Sequence, residues 1–362
     1  MKFVVVLFVF VSACATTPPT RPSQRMRFLD RPVDYERLGL GDHVAPWEDG
    51  RRSTPKSDEY EWWYVDAVLD DGSIVVIWFG DNWLAGTHKR AVHITYTVDG
   101  KSREESYQTK DPGTFKRGRT DVRIGNNRFV GDLNNYQIVV DEGDTGGIGC
   151  ELNIRRRSPA YRPGTGYMGN QDQYFAWLVA VPEGEVEGTL VVDGKRQKVH
   201  GSAYHDHNWG NVPPWDLMRN WWWGRAAAEG RTVIMADLRP HDGGASLPLL
   251  YIADDSRSIV DAYGAAVAFS ESDKGDNGEP RKARTLANRV RLRAQGTDVT
   301  ITRSPQPIGS TDLLQSKPPL VALLARVLGR SPWYLRYDSR VVLTTGKENT
   351  SGVGTLEFMD FE

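Results

Sequence analysis

Acid–base and aromatic residues are concentrated in one short segment, Tyr204-His205-Asp206-His207-Asn208-Trp209-Gly210. If this segment is a β-strand, alternate side chains point to opposite faces. One face then carries His205, His207 and Trp209, and the other carries Tyr204, Asp206 and Asn208. A purely structural strand has Val or Ile at such positions, so the segment is a candidate for proton transfer or ligand binding.

Asp237 is a second polar residue in an apolar setting, because it follows the run Val233-Ile234-Met235-Ala236. Inside a β-barrel, loss of solvation would raise the pKa of this carboxyl group and keep it protonated. The residue is therefore a candidate proton donor.

Structural roles stay open for the same segment. Asp206 and Asn208 could satisfy backbone groups, since buried polar groups usually have partners. His205 and His207 have the spacing of two metal ligands, but a catalytic zinc needs a third, which His200 or His241 would have to supply. No spacing demands such a site, so we predict no metal.

A serine hydrolase is not indicated either, because the chain has no Gly-x-Ser-x-Gly motif.

Most of the chain has the pattern of short strands separated by turns. Alternating apolar runs precede Asp99-Gly100 and Asp193-Gly194, and Asp-Gly between such runs is typical of a β-hairpin. Strands at this spacing, without helical periods between them, indicate antiparallel barrels or sandwiches. One short helix is predicted late in the chain, at Pro319–Leu328, as a lid or as a cap on a barrel end.

An internal repeat indicates two similar halves. Trp62-Trp63 and Trp221-Trp222 each open a strand, and a Gly-containing turn follows at Gly72 and at Gly230. The offset is 159 residues at the tryptophans and 158 at the glycines. We therefore predict an all-β chain of two tandem barrels, at residues 45–212 and 213–362. The paired tryptophans are candidates for the barrel core or for a ligand wall.

The N-terminus is typical of a targeting signal. Lys2 is followed by the apolar run Phe3–Val11, which is too short to span a bilayer and has the length of a signal-peptide core. The next residues, Val11-Ser12-Ala13-Cys14, resemble the lipobox of bacterial lipoproteins, which implies removal of residues 1–13 and lipidation of Cys14. Residues 14–44 are predicted to be an extended tether. The protein is thus expected at the bacterial cell envelope, on the periplasmic side of the outer membrane.

Composition narrows the function classes. The 362 residues contain 45 Lys and Arg against 47 Asp and Glu, without a basic block, so nucleic acid is not an expected partner. Two cysteines cannot form a disulfide scaffold, and Cys150 is expected to be buried and inert. Twelve Trp among many Gly and Pro favour β-structure with an aromatic-lined interior.

The segment Tyr204–Gly210, the two Trp-Trp strand starts and the ending Gly354–Met359 together resemble the hydroxyneurosporene synthase (carotenoid 1,2-hydratase) and AttH-like family, which is related to fungal Diels–Alderases. The resemblance covers residues 45–362 and implies two lipocalin-like barrels, a pocket near their junction, and no metal or organic cofactor. The family's catalytic His-x-Trp pair corresponds to His207 and Trp209. Its Tyr-x-Asp pair corresponds to Met235 and Asp237, so the tyrosine is replaced in this chain.

The resemblance implies an enzyme acting on a long apolar isoprenoid or polyene in a dry cavity walled by aromatic side chains. In a hydration, Asp237 would protonate an alkene, Trp209 would face the carbocation and His207 would direct water. In a pericyclic cyclisation, the cavity would fold the polyene, with a hydrogen bond to a carbonyl. The residues predicted to contact substrate are Trp62, Trp63, Tyr204, His205, Trp222 and Met235. The alternative is a lipoprotein that binds or carries a lipophile without catalysis.

Overall fold

The computed structural model describes residues 25–54, 59–84, 87–170, 172–314 and 331–362. The predicted signal segment, Cys14 and the predicted helix Pro319–Leu328 lie outside the described residues. Lipidation and envelope location therefore stay predictions. Within the described residues, no helix combines the length and apolar character needed to cross a membrane.

The first of two antiparallel sheets contains 13 strands in the described part of the chain, in the order β5-β4-β3-β2-β13-β12-β10-β9-β8-β7-β6, with β1 and β11 attached beside β12. Its strands are β1 (Arg27–Phe28), β2 (Tyr60–Leu69), β3 (Ile74–Leu84), β4 (Thr87–Val98), β5 (Lys101–Thr109), β6 (Thr114–Phe115), β7 (Asp121–Ile124), β8 (Asn127–Gly131), β9 (Asn135–Val140), β10 (Ile148–Arg156), β11 (Tyr167–Gly169), β12 (Tyr174–Val192) and β13 (Lys195–Gly210).

The second sheet contains 10 strands in the described residues, in the order β17-β16-β15-β14-β23-β22-β20-β19-β18, with β21 beside β22. Its strands are β14 (Met218–Ala228), β15 (Arg231–Pro240), β16 (Leu247–Ala253), β17 (Ser258–Tyr263), β18 (Ala268–Asp276), β19 (Thr285–Ala294), β20 (Thr297–Arg303), β21 (Gly309–Asp312), β22 (Trp333–Thr345) and β23 (Glu348–Asp360).

Helices are short throughout the described residues. The α-helices are α1 (Pro32–Leu38), α2 (Glu142–Thr145) and α3 (Pro214–Leu217), and single 3₁₀ turns occur at Pro46–Asp49, Gly264–Ala266 and Pro280–Lys282. α3 lies in the connection from the first sheet, which ends at Gly210, to the second, which begins at Met218. The all-β prediction is confirmed.

Each sheet curls around its own apolar core, and the two units lie against each other. Trp63 belongs to the core of the first barrel and Trp222 to the core of the second. A third cluster joins outward-facing residues of both sheets, such as Val179 and Tyr204 of the first and Ile234 and Tyr251 of the second. The prediction of two lipocalin-like barrels is therefore confirmed, with an apolar interface between them.

Turn glycines account for the hairpins predicted from the sequence. Asp99-Gly100 joins β4 to β5 and Asp193-Gly194 joins β12 to β13, and all four residues have positive φ between 48° and 75°. Asp and Gly tolerate this backbone region better than most residues, which makes the pair suited to two-residue turns.

The structure differs from the predicted tether at residues 25–44. β1 pairs with β11, and Leu29 is buried with only 1% of its surface exposed. Phe28 packs on Tyr263 of the second barrel with ring centroids 5.0 Å apart. The backbone N–H of Met26 donates to Asp242, also in the second half of the chain. This N-terminal strap (residues 25–30) lies across both barrels because its apolar side chains are buried there.

Candidate active site

The histidine face of β13 points into the first barrel. His205 and His207 have no exposed surface, and the His207 ring stacks on Trp63 at a centroid distance of 4.4 Å. Nε2 of His205 lies 3.2 Å from Oδ2 of Asp49, and Nε2 of His207 lies 2.8 Å from Oε1 of Glu61. The two histidines therefore belong to a closed polar network inside the barrel.

This network sets opposite pKa shifts on its members. Burial by itself would lower the pKa of His205, but the Asp49 carboxylate outweighs burial and the pKa is raised. Burial by itself would raise the pKa values of Asp49 and Glu61, but the neighbouring histidines lower both. The Asp49 carboxylate thus favours the protonated form of His205, and the histidines favour the ionised forms of Asp49 and Glu61.

Asp237 lies inside the second barrel instead. Its Oδ2 accepts from Nε of Arg239 at 3.1 Å, and Arg239 also donates to Glu271 at 2.6 Å. Trp222 donates its indole N–H to the same Glu271 at 2.6 Å. The pKa of Asp237 is raised, as the sequence predicted, because the effect of burial exceeds the opposing effect of Arg239. The expected unpartnered acid, however, has a guanidinium partner.

The structure does not bring the three predicted catalytic residues together. His207 contacts Trp209 inside the first domain, at a ring distance of 4.8 Å. No hydrogen bond, ion pair or ring contact among the described residues joins either one to Asp237. The predicted contact residues are also divided: Trp63 and His205 lie inside the first barrel, Trp222 and Met235 inside the second, and Trp62 and Tyr204 at the interface.

The opposite face of β13 lies at the interface between the barrels. Asp206 is buried and accepts from Trp177 Nε1 at 2.9 Å, from Tyr204 at 2.8 Å and from Asn208 at 2.8 Å. Burial raises the pKa of Asp206 against these hydrogen bonds. Asp206 thus has three hydrogen-bond partners, and these are side chains rather than the backbone groups suggested by the sequence.

A charged cluster continues this interface. Arg336 of the second barrel donates to Asp66 of the first at 2.6 Å, and both are buried. Arg225 lies 3.5 Å from the same carboxylate. Glu357 lies 3.4 Å from Arg336, and burial raises its pKa to about 7 against the lowering effect of Arg336. Two arginines of one barrel thus hold one aspartate of the other.

An open cleft of about 750 Å³ leads to this cluster from one end of the interface. The first barrel contributes Val68, Ile74, Glu183 and Ser202 to its walls, and the second contributes Arg225, Ala227, Arg340, Val353 and Thr355. The strand register explains the second wall, because Arg340, Val353 and Ala227 are neighbours across β22, β23 and β14. No aromatic side chain lines the cleft in the described residues, unlike the aromatic-walled cavity predicted.

Glu183 is an acidic residue in the wall of this cleft, and its pKa is raised. The pairing of β12 with β13 shifts register between Val181 and Gly184, so Pro182 and Glu183 form a β-bulge. Proline lacks the N–H that a regular ladder needs, and bulges redirect side chains next to many active sites. The pKa of Glu183 is raised, because the effect of burial exceeds the opposing effect of Arg225 at 3.9 Å.

Sequence reasoning missed Glu183, Arg225, Arg336 and Glu357. One signal was available for the first of them, because Val181-Pro182-Glu183-Gly184 interrupts a strand pattern with a proline, an acid and a glycine. The others sit in ordinary alternating strands, where a charged residue usually faces solvent. Their burial follows from the first barrel, which covers that face of the second.

The chain is similar to known proteins along most of its length. No protein-family model matches it. It is 24% identical over 351 residues to a hydroxyneurosporene dehydrogenase of Chlorobaculum tepidum, which covers 83% of this chain and 82% of the relative. Three solved structures have the same fold, although each is at most 16% identical to the chain.

The first of these structures, an AttH protein of Nitrosomonas europaea, matches 94% of this chain and 98% of its own with a TM-score of 0.59. CghA with Sch210972 matches 89% and 96% with a TM-score of 0.61. Kievitone hydratase of Nectria haematococca matches 89% and 94% with a TM-score of 0.57. The chain therefore has the two-barrel lipocalin-like fold of these proteins, and the resemblance to the hydroxyneurosporene synthase and AttH-like family read from its motifs is confirmed.

Proposed function

We propose that the protein is an enzyme that binds a mainly apolar molecule in the inter-barrel cleft and acts on it with an acid, by proton transfer in a hydration or by a hydrogen bond in a cyclisation. The observation that carries this proposal is Glu183, a desolvated carboxyl group on a β-bulge in the wall of a cleft large enough for a ligand. The name of a kievitone hydratase among the similar solved structures favours the hydration.

The residues around the cleft have separate roles in this proposal. Glu183, in its neutral form, donates a proton to an alkene carbon, water attacks the resulting cation, and the attacking water returns a proton to the carboxylate. Arg225 stabilises the carboxylate formed by the first step, because its guanidinium lies 3.9 Å away. In a cyclisation, the same acid would hydrogen-bond to a carbonyl oxygen without complete transfer.

Apolar surface in the cleft supports the substrate class. Val68 and Ile74 of the first barrel line the cleft together with Ala227 and Val353 of the second. Val353 is 70% exposed. An exposed apolar wall next to a desolvated acid is costly in a protein that has no use for it. A non-catalytic carrier would use the apolar wall but gains nothing from the acid, so we favour the enzyme.

The test compares Glu183→Gln with Asp237→Asn, the acid that the sequence indicated. Both variants would be overproduced without residues 1–13 and with Cys14 replaced, and co-purifying small molecules would be identified by mass spectrometry. The unsubstituted protein should carry a product, and Glu183→Gln should carry its precursor, lighter by one water for a hydration or isomeric for a cyclisation. Asp237→Asn should behave like the unsubstituted protein.

Three results would contradict the proposal. If Glu183→Gln carries the same product as the unsubstituted protein, Glu183 is not the acid. If Asp237→Asn alone loses the product, the reaction takes place inside the second barrel. The same lipophile in all three proteins, with no precursor in any, would show a carrier.

A further inference from the structure

We propose that the inter-barrel cleft selects ligands that carry an oxyanion, such as a carboxylate, at one end of an apolar body, and that Arg225 binds this group. The inference rests on the proposed function, because it concerns the ligand of the same cleft. Its observations are the hydrogen-bonding state of Arg225 and the charges around it.

The guanidinium of Arg225 has N–H donors that make no hydrogen bond to the described residues. Arg225 is 7% exposed and lines the cleft, yet its guanidinium donates no hydrogen bond within the described residues. Its acidic neighbours are at 3.5 Å (Asp66) and 3.9 Å (Glu183), beyond the 2.7–2.9 Å of a charge-assisted hydrogen bond. The same Asp66 oxygen already accepts from Arg336 at 2.6 Å. A nearly buried guanidinium with five donors and loose partners therefore faces a cavity.

The charges of the cleft favour an anion. Arg225, Arg303 and Arg340 line it, against the carboxylates of Glu183 and Asp338. Arg303 donates to the backbone carbonyls of Ala287, Ser304 and Asp276, so its positive charge is not neutralised by those bonds. The cleft thus has an excess of positive charge beside its apolar wall.

Position decides which arginine binds the anion directly. Arg340 is exposed, and salt screens the attraction of an exposed charge. Arg225 lies two residues deeper along the same sheet face, since Arg340 pairs with Val353 and Arg225 pairs with Thr355. A guanidinium matches a carboxylate with two parallel hydrogen bonds, and these are strongest where water is excluded. Arg225 is therefore the anchor, and the apolar body extends past Ala227 and Val353 to the cleft entrance.

This arrangement also locates the reacting atom. Glu183 Oε2 lies 3.9 Å from Arg225 Nη1, so a ligand held by Arg225 places the atoms nearest its anionic group beside the acid. Proton transfer would then occur within a few bonds of the carboxylate. A purely hydrocarbon ligand has no group that would fix this register.

The test measures binding without requiring turnover. Retinoic acid, retinol and methyl retinoate share one apolar polyene and differ at the end group, and their affinities for the protein lacking residues 1–13 can be measured by calorimetry. We expect retinoic acid to bind more tightly than the other two by on the order of ten- to hundredfold, the effect of a hydrogen bond to a charged group. Arg225→Gln should abolish this preference, and Arg225→Lys should keep part of it.

Arg340→Gln is the matched control, because it removes an equal charge from the exposed end of the cleft. It should change the preference less than threefold at about 0.15 M salt, where surface charges are screened. Equal affinity of the acid, the alcohol and the ester for the unsubstituted protein would overturn the inference, as would an unchanged preference in Arg225→Gln or no binding of any retinoid. Glu183→Gln should retain the preference, so failure here is distinguishable from failure of the proposed acid role.

Discussion

Replacing Arg336 with Met should destabilise the protein in a pH-dependent way. The change leaves Asp66 buried without its partner at 2.6 Å, while Arg225 stays at 3.5 Å as a looser one. Removing one member of a buried ion pair typically costs about 3–5 kcal/mol. Asp66 has no exposed surface, so water cannot replace the lost partner.

The magnitude has an upper limit, because a carboxylate that is too costly to bury becomes protonated. Protonating an aspartate of ordinary pKa, about 3.9, costs about 4 kcal/mol at pH 7 and about 1.5 kcal/mol at pH 5. With Arg225 as the remaining partner, we expect Arg336→Met to lower the free energy of unfolding by about 2–4 kcal/mol at pH 7. At pH 5 the loss should fall below about 1.5 kcal/mol.

Urea unfolding followed by tryptophan fluorescence at both pH values measures this loss. Arg291→Met is the control, because Arg291 pairs with Asp298 on the surface and such pairs contribute about 0–1 kcal/mol. Adding Asp66→Asn to Arg336→Met should recover part of the stability at pH 7. A loss that is the same at pH 5 and pH 7, or no larger than that of Arg291→Met, would refute the reasoning.

Two further predictions concern the barrel interior and the barrel wall. Because the pKa of His205 is raised in the folded protein, its contribution to stability is complete below the unfolded pKa of 6.5 and is lost as the pH rises through the folded pKa. The pKa values of Asp49 and Glu61 are lowered, so their contribution is lost on acidification below about pH 4.5. The contribution of this network should therefore peak between about pH 4.5 and 6.5, and His205→Gln should flatten the alkaline side of the urea-midpoint profile; an unchanged profile would count against a charged His205. In the wall, a Cβ on Gly352 would lie 1.8 Å from the backbone oxygen of Ala227, so Gly352→Ala should lower the free energy of unfolding by about 1–3 kcal/mol. Gly118→Ala, at a loop position without a positive φ and with no atom within 4 Å of the added carbon, should change the free energy of unfolding by about 1 kcal/mol or less, and equal losses would show that the strands adjust freely.

The fold was predictable because its signals are local. Asp99-Gly100 and Asp193-Gly194 specify hairpins by backbone conformation alone, and both form. The repeated tryptophans also behave alike, since Trp63 and Trp222 each enter the core of one barrel. These features need no knowledge of long-range packing.

The candidate site was predictable only in part, because both faces of β13 are buried. Alternation separated His205 and His207 correctly from Asp206, but it does not reveal which face points into a barrel and which meets the other barrel. Arg336 and Asp66 are 270 positions apart in sequence, and only the packing of the barrels makes them partners. A strand pattern contains no information about such a pair.

The N-terminal strap has a mechanical consequence. Phe28 and Met26 contact the second barrel while β1 is hydrogen-bonded to the first, so tension applied at residue 25 is shared by both units. Pulling on the chain from this end loads the contact of Met26 with the second barrel and then the pairing of β1 with β11 in the first. The strap therefore resists separation of the two barrels when force is applied at residue 25.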